Sequence, residues 1–225
     1  MSKKMTLLAF TDASSYNGGH YPDPDDDEYS CSAGVLTFDD NILYSFTNYN
    51  PGTSISYGEL YAIYCLLSDI VPLLEGTNHE LILFTDSDYA FKSLTEYYKT
   101  WKMRSINGIW YGSSGEVAYQ ELIKETLSLI KRGNVTLRRV SGGHLNVLEE
   151  GYKRKKSYYN SLVTLFKRYK RDNKVSINKD QAAYLIFYNN ICDQMAKFGL
   201  EMGRRGLFEN ERKRKTFKKY ISVTD

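Results

Sequence analysis

The sequence has few cysteines, no long apolar run and almost no basic residues in its first part. Its three cysteines (Cys31, Cys65, Cys192) are too few and too widely spaced for a disulfide framework or a zinc site; they suit reduced thiols in an intracellular protein. No apolar run approaches the ~18 residues of a membrane span. The opening Met1-Ser2-Lys3-Lys4 leads only into Met5–Thr11, too short a run for a secretory leader. No repeat of solenoid period occurs. Apolar types at 42% and charged types at 25% exclude global disorder and fibrous architecture. At ~100–200 residues per domain, 225 residues make one domain with an elaboration, or two small ones.

Charge is unevenly spread. Residues 1–90 carry 2 Lys/Arg against 14 Asp/Glu, residues 91–225 carry 28 against 13, and the net is +3. An acidic half beside a basic half suits a cation site next to a polyanion-binding surface. Two merely solvated faces give the same counts.

Apolar spacing places the elements. Thr6–Thr11 is a short apolar run ending at Asp12 and predicts a buried strand. Ser14–Glu28 holds Gly18-Gly19, two prolines and an acidic run, and predicts a loop. Ala33–Phe38 and Ile42–Phe46, separated by Asp39-Asp40-Asn41, predict a hairpin. Ser56–Val71 has helical spacing, with Leu60, Ile63, Leu67 and Ile70 on one face. Leu81–Thr85 predicts a buried strand, and Ser87–Lys102 a helix with Phe91, Leu94, Tyr98 and Trp101 on one side. Val117–Ile130 predicts a helix and Val135–Val140 a strand. Ser157–Arg171 predicts a helix with a basic polar face; Tyr158, Leu162, Leu165 and Tyr169, at helical spacing, form its buried side or, for the aromatics, base-stacking platforms. Asp180–Met202 predicts a long helix, followed by a ragged basic tail. Three antiparallel strands, then strands alternating with helices, make a mixed sheet in an α/β domain.

The tripeptide Phe-Thr-Asp occurs twice, as Phe10-Thr11-Asp12 and Phe84-Thr85-Asp86, each closing an apolar strand. If these strands are parallel neighbours, both aspartates leave the sheet at its carboxyl edge, where α/β sheets place ligands. Two carboxylates that close repel each other unless a cation lies between them, and hard ions such as Mg²⁺ prefer such oxygen ligands. Plainer roles compete. Asp86 precedes a helix and can cap it. Glu59 ends Ser56-Tyr57-Gly58-Glu59, a capping-box pattern. Asp193, among Ile191, Cys192, Met195 and Ala196, can pair with Lys197 four residues on. Asp12 precedes a Gly-containing loop, and capping explains it poorly.

Taken together, these residues resemble a type 1 ribonuclease H. Thr11-Asp12-Ala13-Ser14 resembles the first catalytic aspartate motif, Ala33-Gly34-Val35 the second strand, and Glu59-Leu60-Tyr61-Ala62 the glutamate helix. Thr85-Asp86-Ser87 resembles the second aspartate motif, and Trp101-Lys102-Met103-Arg104 the Trp-Lys-x-Arg segment. Val140-Ser141-Gly142-Gly143-His144 resembles the mobile-histidine loop, and Asn189–Ala196 the last motif, Asn-x-x-Cys-Asp-x-x-Ala. The chain departs from that family in four places. Its loop after Asp12 is stretched by the acidic segment 21–30. Ser56 stands where the family often has asparagine, and Asp88 where it often has glutamine. Residues 150–185 look like an insertion.

The resemblance implies a ribonuclease H-like mixed five-stranded sheet flanked by helices, with a basic helical insertion before the last core helix. One domain would cover residues 1–202, and a basic tail 203–225. The activity implied is endonucleolytic hydrolysis of the RNA strand of RNA/DNA hybrids, leaving 5′-phosphate and 3′-hydroxyl ends. Two Mg²⁺ ions, replaceable by Mn²⁺, would be held by Asp12, Glu59, Asp86 and Asp193, with Asp12 bridging them. His144 would shuttle a proton or help release product. Hybrid contacts would come from Ser14, Ser56, Lys99, Trp101, Lys102, Arg104 and Asn189. A second basic patch would comprise Lys153–Lys156 with Lys167, Arg168, Lys170 and Arg171; a third, Arg212–Lys215 with Lys218 and Lys219. A cytoplasmic, monomeric protein without membrane contact is expected. The alternatives are another nuclease of the same fold (exonuclease, resolvase or recombinase-like) and a non-catalytic nucleic-acid-binding module.

Overall fold

The computed structural model describes residues 5–16, 29–140, 155–206 and 212–213, with backbone alone for 155–162 and 212–213. Strands β1 (Thr6–Tyr16), β2 (Tyr29–Phe38) and β3 (Asn41–Pro51) form an antiparallel meander. Helix α1 (Ile55–Leu74) crosses over to β4 (Glu80–Thr85), which pairs parallel with β1. Helices α2 (Asp88–Lys92), α3 (Tyr98–Met103) and α4 (Gln120–Arg132) lead to β5 (Val135–Arg139), parallel to β4. Helices α5 (Lys155–Asn173) and α6 (Lys179–Arg204) follow, and the two-residue β6 (Arg212–Lys213) pairs with β3. The strand order is β5-β4-β1-β2-β3-β6. It is the expected mixed five-stranded sheet with a short sixth strand at one edge.

Local chemistry accounts for the elements. Asp39 and Asp40 both take positive φ (45° and 61°) between the paired Phe38 and Asn41, the backbone of a two-residue hairpin turn matched to strand twist. Leu60, Ile63, Leu67 and Ile70 of α1 are all buried, so one helical stripe covers the sheet. By length and composition α1 is the one described helix able to cross a membrane, but the sheet covers its apolar side. A π-helical turn, Ser93–Tyr97, joins α2 to α3, which makes the expected 87–102 helix continuous but locally widened.

β1 corrects an expectation. It continues five residues past Thr11, pairing Ser14 with Cys31 and Tyr16 with Tyr29, so Ser14–Tyr16 are strand rather than loop. The ladder to β2 supplies the backbone partners that a polar Ser-Ser segment does not advertise. The acidic segment lies outside the described residues up to position 28.

Two apolar layers flank the sheet. The α1 side is built around Leu60, Leu66 and Leu83. The other holds Phe10, stacked on Phe84 at 5.0 Å and on Tyr188 at 5.5 Å, with Leu165 and Tyr169 of α5 and Leu185 of α6. Fully burying an aromatic or aliphatic side chain contributes ~1.5–3 kcal/mol, so these layers hold the strand register and with it the sheet's carboxyl edge.

Candidate active site

The repeated tripeptides lie in register: Phe10 pairs with Phe84 and Thr11 with Thr85. Asp12 and Asp86 are the next residues, delivered side by side where the parallel ladder ends. Glu59 reaches the same point from the second turn of α1. One oxygen of each of Asp12, Glu59 and Asp86 lies within 4.8 Å of the others. Asp12 is 5% exposed and Glu59 8%.

The plainer roles of two carboxylates belong to neighbouring serines. The N-cap of α1 is Ser54, whose hydroxyl accepts from the Tyr57 N–H at 3.3 Å, so Glu59 lies beyond the capping position. The N-cap of α2 is Ser87, which accepts from the Ala90 N–H at 3.2 Å, so Asp86 caps nothing. Asp193 is different. Lys197 donates to it at 2.7 Å, and it lies outside the three-carboxylate cluster. Its charge still acts on Asp12 and Asp86.

Burial first, then the charges of Asp86 and Asp193, push the Asp12 carboxyl well above its usual range; the Ala13 N–H, donating at 2.7 Å, opposes this. Burial, then Asp12 and Asp86, raise Glu59 likewise. Burial also raises Asp86, against a hydrogen bond from the Asn189 side chain. Glu59 Oε2 is buried and has no hydrogen-bond partner among the described residues. Ionised, this cluster lacks a counter-charge among its own members. A hard divalent cation supplies that charge, accepts oxygen ligands and satisfies the orphaned oxygen. Asp12, Glu59 and Asp86 therefore fit a metal.

The sequence profile of the RNase H family matches residues 4–151. The chain belongs to the RNase H family. LC9-RNase H1, described as a type 1 RNase H with the type 2 active-site motif, superposes with a TM-score of 0.50 at 17% identity, over 64% of this chain and 66% of that one. A foamy viral protease-reverse transcriptase in complex with RNA/DNA hybrid gives 0.49 at 12% identity, over 60% of this chain and 17% of that one. LC11-RNase H1 in complex with RNA/DNA hybrid gives 0.44 at 14% identity, over 60% and 86%. At these identities the likeness is one of fold. No curated protein matches the sequence.

The other expected site residues are distributed over β1, α1, α3, α5 and α6. Asn189, expected to touch nucleic acid, is 2% exposed behind Asp86, to which its amide donates. Burial makes it a support for that carboxylate rather than a surface contact. Ser14 and Ser56 are half-buried near the cluster, on β1 and in the first turn of α1. Lys99, Lys102 and Arg104 are exposed at α3, while Trp101 is half-buried against the α1-side layer and packs on Tyr97. Lys167, Arg168, Lys170 and Arg171 are exposed on α5. His144, Lys153 and Arg154 lie outside the described residues, as do Lys215, Lys218 and Lys219.

One neighbour of the site has no sequence signal. Arg139, the last residue of β5, places Nη1 2.8 Å from Asp88 Oδ1 and 3.2 Å from Asp172 Oδ2. It ties α2 and α5 together beside Asp86, and its charge offsets part of the rise that burial gives that carboxyl.

Gly58 sets how closely α1 approaches the strands. A Cβ there would lie 2.9 Å from Ser30 Oγ, 3.0 Å from Ser30 Cβ and 3.1 Å from Ala13 Cβ. Alanine is favoured over glycine inside helices by ~1 kcal/mol. Here overpacking, at ~1–3 kcal/mol, outweighs that gain. Gly58→Ala is expected to lower the melting temperature by roughly 2–8 °C and to weaken metal binding by displacing the adjoining Glu59. A melting temperature above wild type would refute the close-approach account.

Proposed function

We propose that this RNase H hydrolyses the RNA strand of RNA/DNA hybrids endonucleolytically, leaving 5′-phosphate and 3′-hydroxyl ends. The observation that carries the reading is the trio of buried Asp12, buried Glu59 and half-buried Asp86, with a Glu59 oxygen that has no partner among the described residues, at the carboxyl edge of this family's sheet. Asp12, Glu59 and Asp86 would hold two Mg²⁺ ions, with Asp193 completing the set after releasing Lys197; Mn²⁺ would substitute. When bound, such a pair supplies an activated water, neutralised phosphoryl oxygens and a stabilised leaving 3′-oxygen.

The chain's own groups do the rest. The Ala13 N–H and the Asn189 amide fix Asp12 and Asp86 in orientation. Lys99, Lys102 and Arg104 attract the duplex through its phosphates. Selection of the RNA strand rests on the 2′-hydroxyl, the group that separates RNA from DNA; Ser14 and Ser56, two residues from Asp12 and three from Glu59, are the side chains assigned to it. His144 moves a proton or assists product release.

Three end-labelled duplexes (RNA/DNA, RNA/RNA and DNA/DNA) incubated with Mg²⁺ test the reading. Cutting of the hybrid's RNA strand alone is expected. Cutting of DNA/DNA would favour another nuclease of this fold, and binding without any cutting a non-catalytic module. His144→Ala is expected to slow multiple turnover more than single-turnover cleavage, since a residue of proton transfer or release leaves metal assembly intact. Equal rates to wild type in both assays would remove His144 from the mechanism.

A further inference from the structure

We propose that α5 presents a phosphate-binding strip for duplex nucleic acid, continuous with the carboxylate edge. The proposal rests on the hybrid-hydrolysis reading only for which duplex is bound in function.

The buried side of α5 is settled: Leu165 and Tyr169 pack on the sheet, and Arg138 Nη1 donates to the Tyr169 hydroxyl at 3.2 Å. The opposite side is cationic. Lys167, Lys170 and Arg171 are all exposed and follow one another at helical spacing along a single stripe; Lys174, exposed just past the helix end at φ 58°, extends the positive charge there, its Nζ donating to the Arg171 carbonyl at 2.9 Å. At ~1.5 Å per residue the stripe with this extension runs roughly 10 Å, the axial rise of about three phosphates on one strand. From residue 153 to 174 the one acidic side chain is Asp172, and it is neutralised within the protein by Arg139 and Arg171. A helix that is simply solvated mixes its signs, as α4 does with Glu121, Lys124, Glu125 and Lys131. The exposed stripe of α5 carries one sign only.

Its position makes the strip part of the site. The Asn173 side chain accepts from the Arg139 N–H and donates to the Arg139 carbonyl, both at 2.7 Å. Arg139 in turn reaches Asp88, two residues from Asp86. The last turn of α5 is thereby fixed at the sheet edge that bears the carboxylates, where a duplex seated on the trio passes close to it. One sign of charge, a length of several phosphates and attachment at this edge together select a polyanionic duplex as the occupant.

The test is the salt dependence of binding, measured without metal on labelled RNA/DNA hybrid and on DNA/DNA between about 50 and 200 mM salt. Each phosphate contact contributes ~0.9 to the slope of log affinity against log salt on B-form DNA. Lys167→Gln/Lys170→Gln/Lys174→Gln is expected to flatten the slope by about 2–3 on both duplexes, since phosphates are common to them, and to weaken binding by about tenfold or more at ~100 mM salt. Lys131→Gln on α4 should leave the slope unchanged. A wild-type slope in the triple variant, with its melting temperature preserved, overturns the proposal and points to an acidic protein surface or plain solvation. Should the triple variant melt early, Lys167→Gln and Lys170→Gln singly decide: about 0.9 each is expected, and no change in either overturns it. A wild-type protein that cuts no hybrid would sink the hydrolysis reading and leave the slope measurement standing.

Discussion

Asp86→Asn is expected to abolish cleavage of the hybrid while leaving the fold and hybrid binding in place. The substitution keeps the shape of the side chain and removes a charge that a cation needs. Misfolding cannot account for the loss, because α2 takes its cap from Ser87 and not from Asp86. Asn189 now donates to the Asp86 carboxylate, and an amide oxygen in the same place accepts that bond equally well. Removing one of three mutually repelling carboxylates, two of them buried, should if anything raise the melting temperature. A hydrolysis rate within tenfold of wild type, a barrier change of only ~1.4 kcal/mol, would sink the carboxylate assignment.

The second large effect is on stability. In chelator, the protein is expected to melt progressively lower as pH rises from 5 to 8, and a divalent cation should restore it. Asp12 and Glu59 have carboxyls held well above the usual range when folded. Unfolded, they release their protons near the ordinary ~4. Below that pH both states are protonated and nothing is lost; above it, the folded state holds protons that the unfolded chain has given up, so stability falls until the folded carboxyls also ionise. Asp172 does not contribute to this window. Burial pushes it up, but Arg171 and Arg139 hold it below the ordinary value. Its stabilisation is therefore fully present above the unfolded value and is lost only as pH falls through the folded one. At pH 8, Mg²⁺ at ~100 times its Kd should add ~2.7 kcal/mol, a rise of roughly 5–10 °C for a chain of this size. Glu59→Gln should melt higher than wild type in chelator at pH 8 and respond less to Mg²⁺, because it removes a charge and gives the orphaned position a donor. A wild-type melting temperature flat from pH 5 to 8 and indifferent to Mg²⁺ would show that these groups do not bind metal.

The meeting of Asp12 and Asp86 is legible in the sequence because a repeated tripeptide on two apolar runs needs only parallel neighbours to bring its members together. Which serine caps α1 is not legible. Ser54 and Ser56 are chemically alike, and the choice depends on how Gly58 seats the helix against Ser30 and Ala13. From that single ambiguity comes the capping-box pattern that ends at Glu59. Ser14 and Ser15 read as loop because their strand pairing is supplied by β2, beyond the reach of local pattern. The π-turn at Ser93–Tyr97 leaves no compositional mark. Leu165 and Tyr169 announce the inner side of α5 by their spacing, whereas the link from Arg139 to Asp88 and Asp172 joins three elements remote in sequence. Asn189 was readable as part of a motif, but its burial behind Asp86 follows only from how α6 lies on β1.

The carboxamide of Asn173 occupies the hydrogen-bonding positions that another strand would use on Arg139. β5 is the outermost strand on its side of the sheet, and an open outermost strand is a template for a second chain. α5 thus shields the sheet from self-association as well as presenting cations. Deleting it would expose backbone donors and acceptors together with the apolar surface under Leu165 and Tyr169, and would produce a protein prone to precipitate whatever its affinity for nucleic acid. The duties of this helix can be separated by changing its outward charges one at a time, with Asn173 and Tyr169 left untouched.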